Sequence, residues 1–104
     1  MVSVETHLAI LFIHGYRCFY CGKPADAVNH IDPNGGSHPR NLTAACGPCN
    51  TARGNRPLPD VVRREALALA FIHASMVERM AREFKEAKKR ARRLIVNGSL
   101  PLRA

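Results

Sequence analysis

Two Cys-x-x-Cys pairs constrain the fold of this 104-residue chain more than any other feature. Cys18 and Cys21 form the first pair, and Cys46 and Cys49 form the second. Two thiolates of one pair can reach the same ion, and two pairs together supply the closed tetrahedral ligand set of a structural zinc site. Two disulfides, for which the sequence permits three pairings, and free buried cysteines are the alternatives. We predict a structural Zn²⁺ ion on the four cysteines, with no open position for catalysis.

Chain length makes such a metal site important for folding. A single domain of this size buries proportionally little apolar surface, and the segment between the cysteine pairs is too small to be stable without a cross-link. Structural zinc contributes on the order of 10 kcal/mol to the folding of comparable modules. We therefore expect the metal to determine whether the N-terminal half folds.

The N-terminal sequence does not have the features of a secretory signal. The apolar run at residues 8–13 is short, follows Glu5 instead of a basic segment, and lacks a small-residue cleavage site. No apolar segment is long enough to span a bilayer. We predict a cytoplasmic protein without a membrane partner, because a reducing compartment favours zinc-bound thiolates over disulfides.

The basic charge of the chain favours a polyanionic partner. The formal net charge is +8, and residues 57–104 carry eleven Lys or Arg against five Asp or Glu. The densest run spans residues 85–93. A solvated helix face or contact with an anionic membrane surface are the alternative explanations, and nucleic acid is the favoured partner.

Local signals predict the elements of the first half of the chain. A helix is expected to start at residues 3–6 and stop at Gly15, although the apolar run between them is also compatible with a strand. A strand is expected at residues 27–31, a turn-rich loop at 33–39 and a second strand at 42–45.

A short helix should follow the second strand. It is expected to open at Gly47-Pro48, where proline suits the first helical position, and to close at Gly54. The predicted order of elements is therefore strand, loop, strand, helix.

A second, much longer helix is predicted after the linker at residues 57–59. Asp60 is a suitable N-cap and Asn97-Gly98 a suitable stop, so an unbroken helix would be about 57 Å long. Apolar residues recur on one face, with steps of three, four or seven: Val62, Ala66, Leu69, Met76, Met80, Phe84, Ala87, Ala91 and Leu94. This helix exceeds what so small a core can cover. Its basic run predicts a DNA-binding arm, and its Leu69, Met76, Met80 and Phe84 stripe is compatible with the seam of a homodimer.

The motifs together resemble those of the HNH endonuclease family. They are Cys18-x-x-Cys21-Gly22, Asn29-His30-Ile31-x-Pro33-x-Gly35-Gly36, Asn41-Leu42 and Cys46-x-x-Cys49-Asn50-x-x-Arg53-Gly54. The chain resembles the small members found in phages, and the resemblance covers residues 15–56. It implies an α+β protein with the ββα-metal, or His-Me finger, fold around one catalytic divalent ion, Mg²⁺ or Mn²⁺. The chain would then comprise a lead-in (1–14), the nuclease module (15–56), and the linker with its basic helix (57–104).

The resemblance also implies roles for individual residues. His30 resembles the general base that activates water, and Asn41 the residue that orients it by tying the loop together. Asn29 and Asn50 match metal-ligand positions. Asn29 departs from the family, which commonly has Asp or His there, and a neutral amide is a weak ligand for a hard cation. Asp32 is a candidate to compensate.

Basic residues are expected to contact phosphate groups. Guanidinium groups suit phosphate oxygens, and ammonium groups follow a phosphate backbone as point charges. The candidates are Arg40, Arg53, Arg56, Lys85, Lys88, Lys89, Arg90, Arg92 and Arg93.

Two functions fit these observations. The favoured one is a metal-dependent HNH endonuclease that hydrolyses phosphodiester bonds of DNA, with RNA also compatible. The alternative is a zinc-stapled nucleic-acid-binding or assembly protein that cuts weakly or not at all. The combination of His30, Asn41 and Asn50 favours the enzyme, and Asn29 favours the binding protein.

Overall fold

A computed structural model describes residues 2–96, and its fold is of the α+β class, as predicted. The elements in chain order are α1 (Val4–Ile13), β1 (Ala27–His30), a 3₁₀ helix (Pro39–Asn41), β2 (Leu42–Ala45), α2 (Gly47–Arg53) and α3 (Asp60–Val96). The predicted helix stop at Asn97-Gly98 lies outside the described residues. Among residues 2–96, no helix combines the length and the apolar character needed to cross a membrane.

The first apolar segment is a helix and not a strand. Ser3 caps α1, since its hydroxyl oxygen accepts a hydrogen bond of 3.1 Å from the backbone N–H of Thr6. The middle of α1 is buried, with Ala9 and Ile10 almost fully enclosed. The chain leaves the helix through Gly15, whose φ of 63° suits a residue without a side chain.

The two strands form an antiparallel hairpin in the middle of the molecule. Ala27 pairs with Ala45, and His30 pairs with Leu42. All four residues of β2 are buried, so this strand is the centre of the core. α2 begins two residues after β2 and ends at Arg53, and its C-cap residue Gly54 has a positive φ of 55°. These bounds confirm the predicted order of strand, loop, strand and helix.

The long helix α3 covers one side of this module and then continues into solvent. Its inward face buries Ala66, Ala70 and Val77. It runs antiparallel to α1: the His14 and His73 rings meet edge to face with centroids 5.5 Å apart. At the other end of α1, Lys88 Nζ lies 3.1 Å from a carboxylate oxygen of Glu5. Every residue from 85 to 95 is exposed, which confirms that the helix exceeds what the core can cover.

The proposed dimer seam is only partly available on this helix. Met80 and Phe84 pack against the core that α1 and the hairpin build, while Met76 is 47% exposed. Two members of the stripe therefore stabilise the folded chain itself. The structure gives no support to a homodimer through these residues.

Candidate active site and metal centre

The four cysteines form one cluster. Their sulfur atoms all lie within 4.8 Å of one another, and Cys21 Sγ is 3.6 Å from Cys46 Sγ. This separation is well beyond the bond length of a disulfide. Cys46 is the N-cap residue of α2 and Cys49 lies in its first turn, so the helix start fixes the second pair. Within residues 2–96 this is the one grouping of His, Cys, Asp or Glu placed to hold a metal ion, and its four thiols suit structural zinc.

Backbone N–H groups favour the thiolate of Cys18, whereas side-chain contacts with Cys46 and Cys21 raise the pKa of Cys49 to about 12. Tyr20 N–H donates to Cys18 Sγ over 3.3 Å, and Cys49 N–H donates to Cys46 Sγ over 3.4 Å. Burial raises the pKa of the Cys18 thiol, but hydrogen bonds from the backbone of the other cysteines and Tyr20 outweigh it and bring the pKa to about 6. A thiol that ionises readily is suited to bind zinc.

An open cleft lies beside the cluster. It has a volume of about 620 Å³ and is bordered by β1, by the loop after it and by the C-terminal end of α2. The lining residues are Val28, Asn29, His30, Pro33, Gly36, Ser37, Asn50, Arg53, Gly54 and Asn55. The structure thus brings four predicted site residues to one cleft: Asn29, His30, Asn50 and Arg53.

His30 is the last residue of β1, and its imidazole faces the loop. Its Nε2 lies 3.0 Å from the hydroxyl oxygen of Ser37. Its backbone carbonyl accepts a hydrogen bond from Arg53. Both the ring and the backbone of His30 are therefore held in place. Sequence reasoning missed Ser37, because a single serine in a turn-rich loop carries no distinguishing signal.

Asn41 supports the loop from behind the cleft. It is 6% exposed, and its side-chain oxygen accepts from Asp32 N–H over 2.8 Å. Its Nδ2 donates to the carbonyl oxygens of Asp32 and Gly36, over 3.0 and 2.8 Å. A Cβ atom on Gly35 would lie 2.7 Å from the same Nδ2, so glycine is required there. Asn41 ties the loop together, as the resemblance implies, without lining the cleft itself.

Asn29 and Asn50, the two predicted metal ligands, are joined by a hydrogen bond between their side chains. Asn29 Nδ2 donates to Asn50 Oδ1 over 2.8 Å. Asn29 as a residue is 6% exposed. Its side-chain oxygen accepts hydrogen bonds from the Tyr20 hydroxyl, over 2.8 Å, and from Arg53. Burial raises the pKa of Tyr20 against the opposing effect of the Arg53 charge, so this hydroxyl stays a donor. Both amide oxygens therefore already accept hydrogen bonds.

Asp32 is directed to α3 and away from the cleft. Its two carboxylate oxygens lie 2.6 and 3.1 Å from Nε and Nη2 of Arg63. The hydrogen bond from Arg63 holds the pKa of this carboxyl below its ordinary value. The carboxylate that was predicted to compensate for Asn29 is thus engaged in an ion pair between the loop and the long helix.

The donors of the cleft do not fit a tightly held divalent ion. Mg²⁺ and Mn²⁺ are bound mainly through carboxylate, carbonyl and water oxygens, with at least one anionic group as the rule. Among the described residues, no carboxylate lines the cleft, and the amide oxygens of Asn29 and Asn50 are already hydrogen-bonded. The Mg²⁺ or Mn²⁺ implied by the family resemblance therefore lacks a matching ligand set.

The predicted phosphate-binding arginines of α2 and its C-terminal flank have internal partners. Arg53 donates to acceptors on residues 29–31. Arg56 donates to the carbonyl oxygens of Ala52 and Arg53, and so caps the end of α2. Arg40 is exposed, with its backbone N–H 3.1 Å from His38 Nδ1.

The exposed side of α3 presents the densest positive charge. A shallow groove of about 640 Å³ is lined there mainly by basic residues: Arg79, Arg82, Lys85, Lys89 and Arg90, with Glu83 and Glu86. Arg92 and Arg93 are exposed beyond it. Lys88 lies on the side that faces α1 and pairs with Glu5. Arg79 and Arg82 were not predicted, because they precede the dense run in sequence and join it only through helical geometry.

Comparison with known proteins gives one match. Residues 18–56 match a family model described as HNH endonuclease. No curated protein and no solved structure matches the chain significantly. The matched segment contains the four cysteines, both strands, α2 and all the residues that line the cleft.

Proposed function

We propose that this chain, whose residues 18–56 carry an HNH endonuclease domain, is an endonuclease that hydrolyses phosphodiester bonds of DNA. The observation that carries the proposal is the placement of His30. Its imidazole lies in the cleft at the end of β1, and Ser37 holds one ring nitrogen. The structural Zn²⁺ on the four cysteines would hold α2 against the strands and so keep the cleft in shape.

His30 would act as the general base. We assign the tautomer in which Nε2–H donates to the Ser37 hydroxyl, which leaves the Nδ1 lone pair for water. Imidazole is suited to this task because its ordinary protonation change falls between pH 5 and 8. The water oxygen would form a bond to phosphorus as the bond to the 3′ oxygen breaks. The water proton would go to His30 and the leaving 3′ oxygen would take a proton from solvent water, which leaves 5′-phosphate and 3′-hydroxyl ends.

DNA would be held by positive charge on two sides. Arg53 and Arg56 lie at the end of α2 beside the cleft, and neither is paired with a carboxylate among the described contacts. The groove on α3 adds five basic residues. Such contacts would give salt-sensitive, sequence-tolerant binding. No step of this proposal passes through Mg²⁺ or Mn²⁺, because the cleft does not offer a fitting ligand set.

A second candidate function is a zinc-stapled nucleic-acid-binding protein that does not cut. The mutual hydrogen bond of Asn29 and Asn50 favours it, because it ties up both amide positions expected to bind a metal. The two functions separate in a plasmid-cleavage assay. Nicking that disappears in a His30→Ala variant supports the endonuclease, and DNA binding without cleavage by the folded protein supports the binding module.

A further inference from the structure

Arg53 makes an unusual set of hydrogen bonds for a residue beside a cleft. Its Nε donates to Arg56 O over 2.9 Å and its Nη2 to Ile31 O over 2.7 Å. Its Nη1 donates to His30 O and to Asn29 Oδ1. A guanidinium group has five N–H donors, so these contacts engage four of them. Three of the four acceptors come from the consecutive residues 29–31.

All four acceptors are neutral carbonyl oxygens. The guanidinium group of Arg53 is therefore solvated by dipoles and forms no ion pair with a carboxylate among the described residues, although its charge helps to lower the pKa of Asp32. Arg63 and Lys88 differ in this respect, since each pairs with a carboxylate, of Asp32 and Glu5 respectively. Several carbonyl oxygens directed at one point are the arrangement with which proteins also hold metal cations. In this cleft the point is filled by a guanidinium group.

We infer that Arg53 is the resident cation of the cleft, and that it excludes a divalent ion from the position beside Asn29. A second cation there would be repelled by the charge of Arg53 at short range and would find Asn29 Oδ1 already engaged. The inference deepens the proposed function and rests on it for the identity of the ligand, a phosphodiester group. Arg53 has only one N–H left outside these four hydrogen bonds. It would therefore attract the phosphodiester group through its charge and not through a bidentate hydrogen bond.

The test measures metal binding and not cleavage. Zinc-loaded full-length protein is titrated with Mn²⁺, and free Mn²⁺ is followed by electron paramagnetic resonance. Wild type and Asn29→Asp are both expected to bind Mn²⁺ weakly, since a carboxylate at position 29 would pair with Arg53. The double variant Asn29→Asp/Arg53→Gln, which has the carboxylate without the cation, is expected to bind Mn²⁺ at least about tenfold more tightly than Asn29→Asp.

A matched control isolates the charge. Asn29→Asp/Arg53→Lys has the same carboxylate and retains a cation, so it is expected to bind Mn²⁺ as weakly as Asn29→Asp does. Equal, tight binding by the Lys and Gln double variants would show that charge is not what excludes the ion and would overturn the inference. Zinc content and far-ultraviolet circular dichroism establish that each variant is folded.

A measurement on the wild type alone keeps the inference falsifiable if Arg53→Gln does not fold. Bound Mn²⁺ broadens the NMR signals of nuclei close to it. The inference predicts no selective broadening at Asn29, His30 and Asn50 in the wild type, and selective, saturable broadening at those residues would overturn it. Both measurements report Mn²⁺ binding and not DNA cleavage. They would therefore test the role of Arg53 even if the protein proved not to be a nuclease.

Discussion

The side-chain amide of Asn41 forms hydrogen bonds with both the backbone N–H and the backbone carbonyl of Asp32. Its Oδ1 accepts from Asp32 N–H over 2.8 Å, and its Nδ2 donates to Asp32 O over 3.0 Å. The same Nδ2 reaches Gly36 O over 2.8 Å. Asp32 follows His30 by two residues, so Asn41 fixes the backbone that leaves the candidate base.

Replacement of Asn41 by alanine should therefore destabilise the zinc-loaded protein. Three backbone groups would lose a partner that is buried, and each unsatisfied group costs about 1–3 kcal/mol, reduced wherever water can enter. We expect a loss of roughly 2–4 kcal/mol in the free energy of unfolding. Urea denaturation of the wild type and Asn41→Ala measures it.

Gly35 supplies the control for this account of Asn41. Gly35→Ala places a methyl group 2.7 Å from Asn41 Nδ2, so it should also destabilise the protein. In the Asn41→Ala background the space is open, and the added cost of Gly35→Ala should fall sharply. Additive effects of the two substitutions would contradict the packing described here.

Removal of zinc should unfold the module that contains the cleft. The four thiols lie within 4.8 Å of one another and connect the Cys18/Cys21 pair to α2, and zinc in such sites contributes on the order of 10 kcal/mol. We expect a chelator, or Cys46→Ser, to abolish the cooperative thermal transition, and added Zn²⁺ to restore it in the wild type. An unchanged transition in metal-free protein would rule out a structural role.

His14 should make stability depend on pH. Burial, and secondarily the charge of His73, lower the pKa of His14 from its ordinary 6.5 in the folded state. His14 therefore binds a proton more readily in the unfolded chain. Its contribution to the free energy of unfolding is fully present above about pH 6.5 and is lost as the pH drops below that value. Thermal unfolding midpoints from about pH 8 to about pH 5.5 should fall less in His14→Gln than in the wild type. Equal pH dependence in both proteins would contradict this role.

The exposed basic face of α3 should determine how DNA affinity depends on salt. Each phosphate contact contributes about 0.9 to the slope of log affinity against log salt. Arg90 lines the basic groove, so Arg90→Gln should lower that slope by up to about one contact. Lys88→Gln is the matched control, because Lys88 pairs with Glu5 on the side facing α1. Equal changes of the salt slope in the two variants would show that the groove is not part of the DNA-binding surface.

Local sequence signals predicted the elements that build the site. β2 has the predicted bounds of residues 42–45, and Gly54 is the C-cap that closes α2, as predicted. Glycine, proline and the cysteine spacing act on their immediate neighbours, so these signals can be read without the fold. They also placed His30 in a strand, predicted over residues 27–31, and β1 ends one residue earlier, at His30 itself.

Partners that are distant in sequence could not be predicted in this way. Arg53 finds acceptors more than twenty residues before it, and Asp32 pairs with Arg63 on another helix. Periodicity likewise identified α3 but misassigned part of its buried face. Val77 is buried and Met76 is 47% exposed, because the placement of α1 decides which side of the helix is covered.

The role of His30 as the general base of an endonuclease is tested most directly by plasmid cleavage with zinc-loaded wild type beside two histidine variants. His30→Ala removes the candidate base, and His38→Ala removes an exposed histidine of the same loop that does not line the cleft. A catalytic role for His30 predicts nicking by the wild type and His38→Ala, and a loss of at least about 100-fold in His30→Ala with zinc content and DNA affinity retained. Equal cleavage by His30→Ala, or none by the folded wild type, would contradict it.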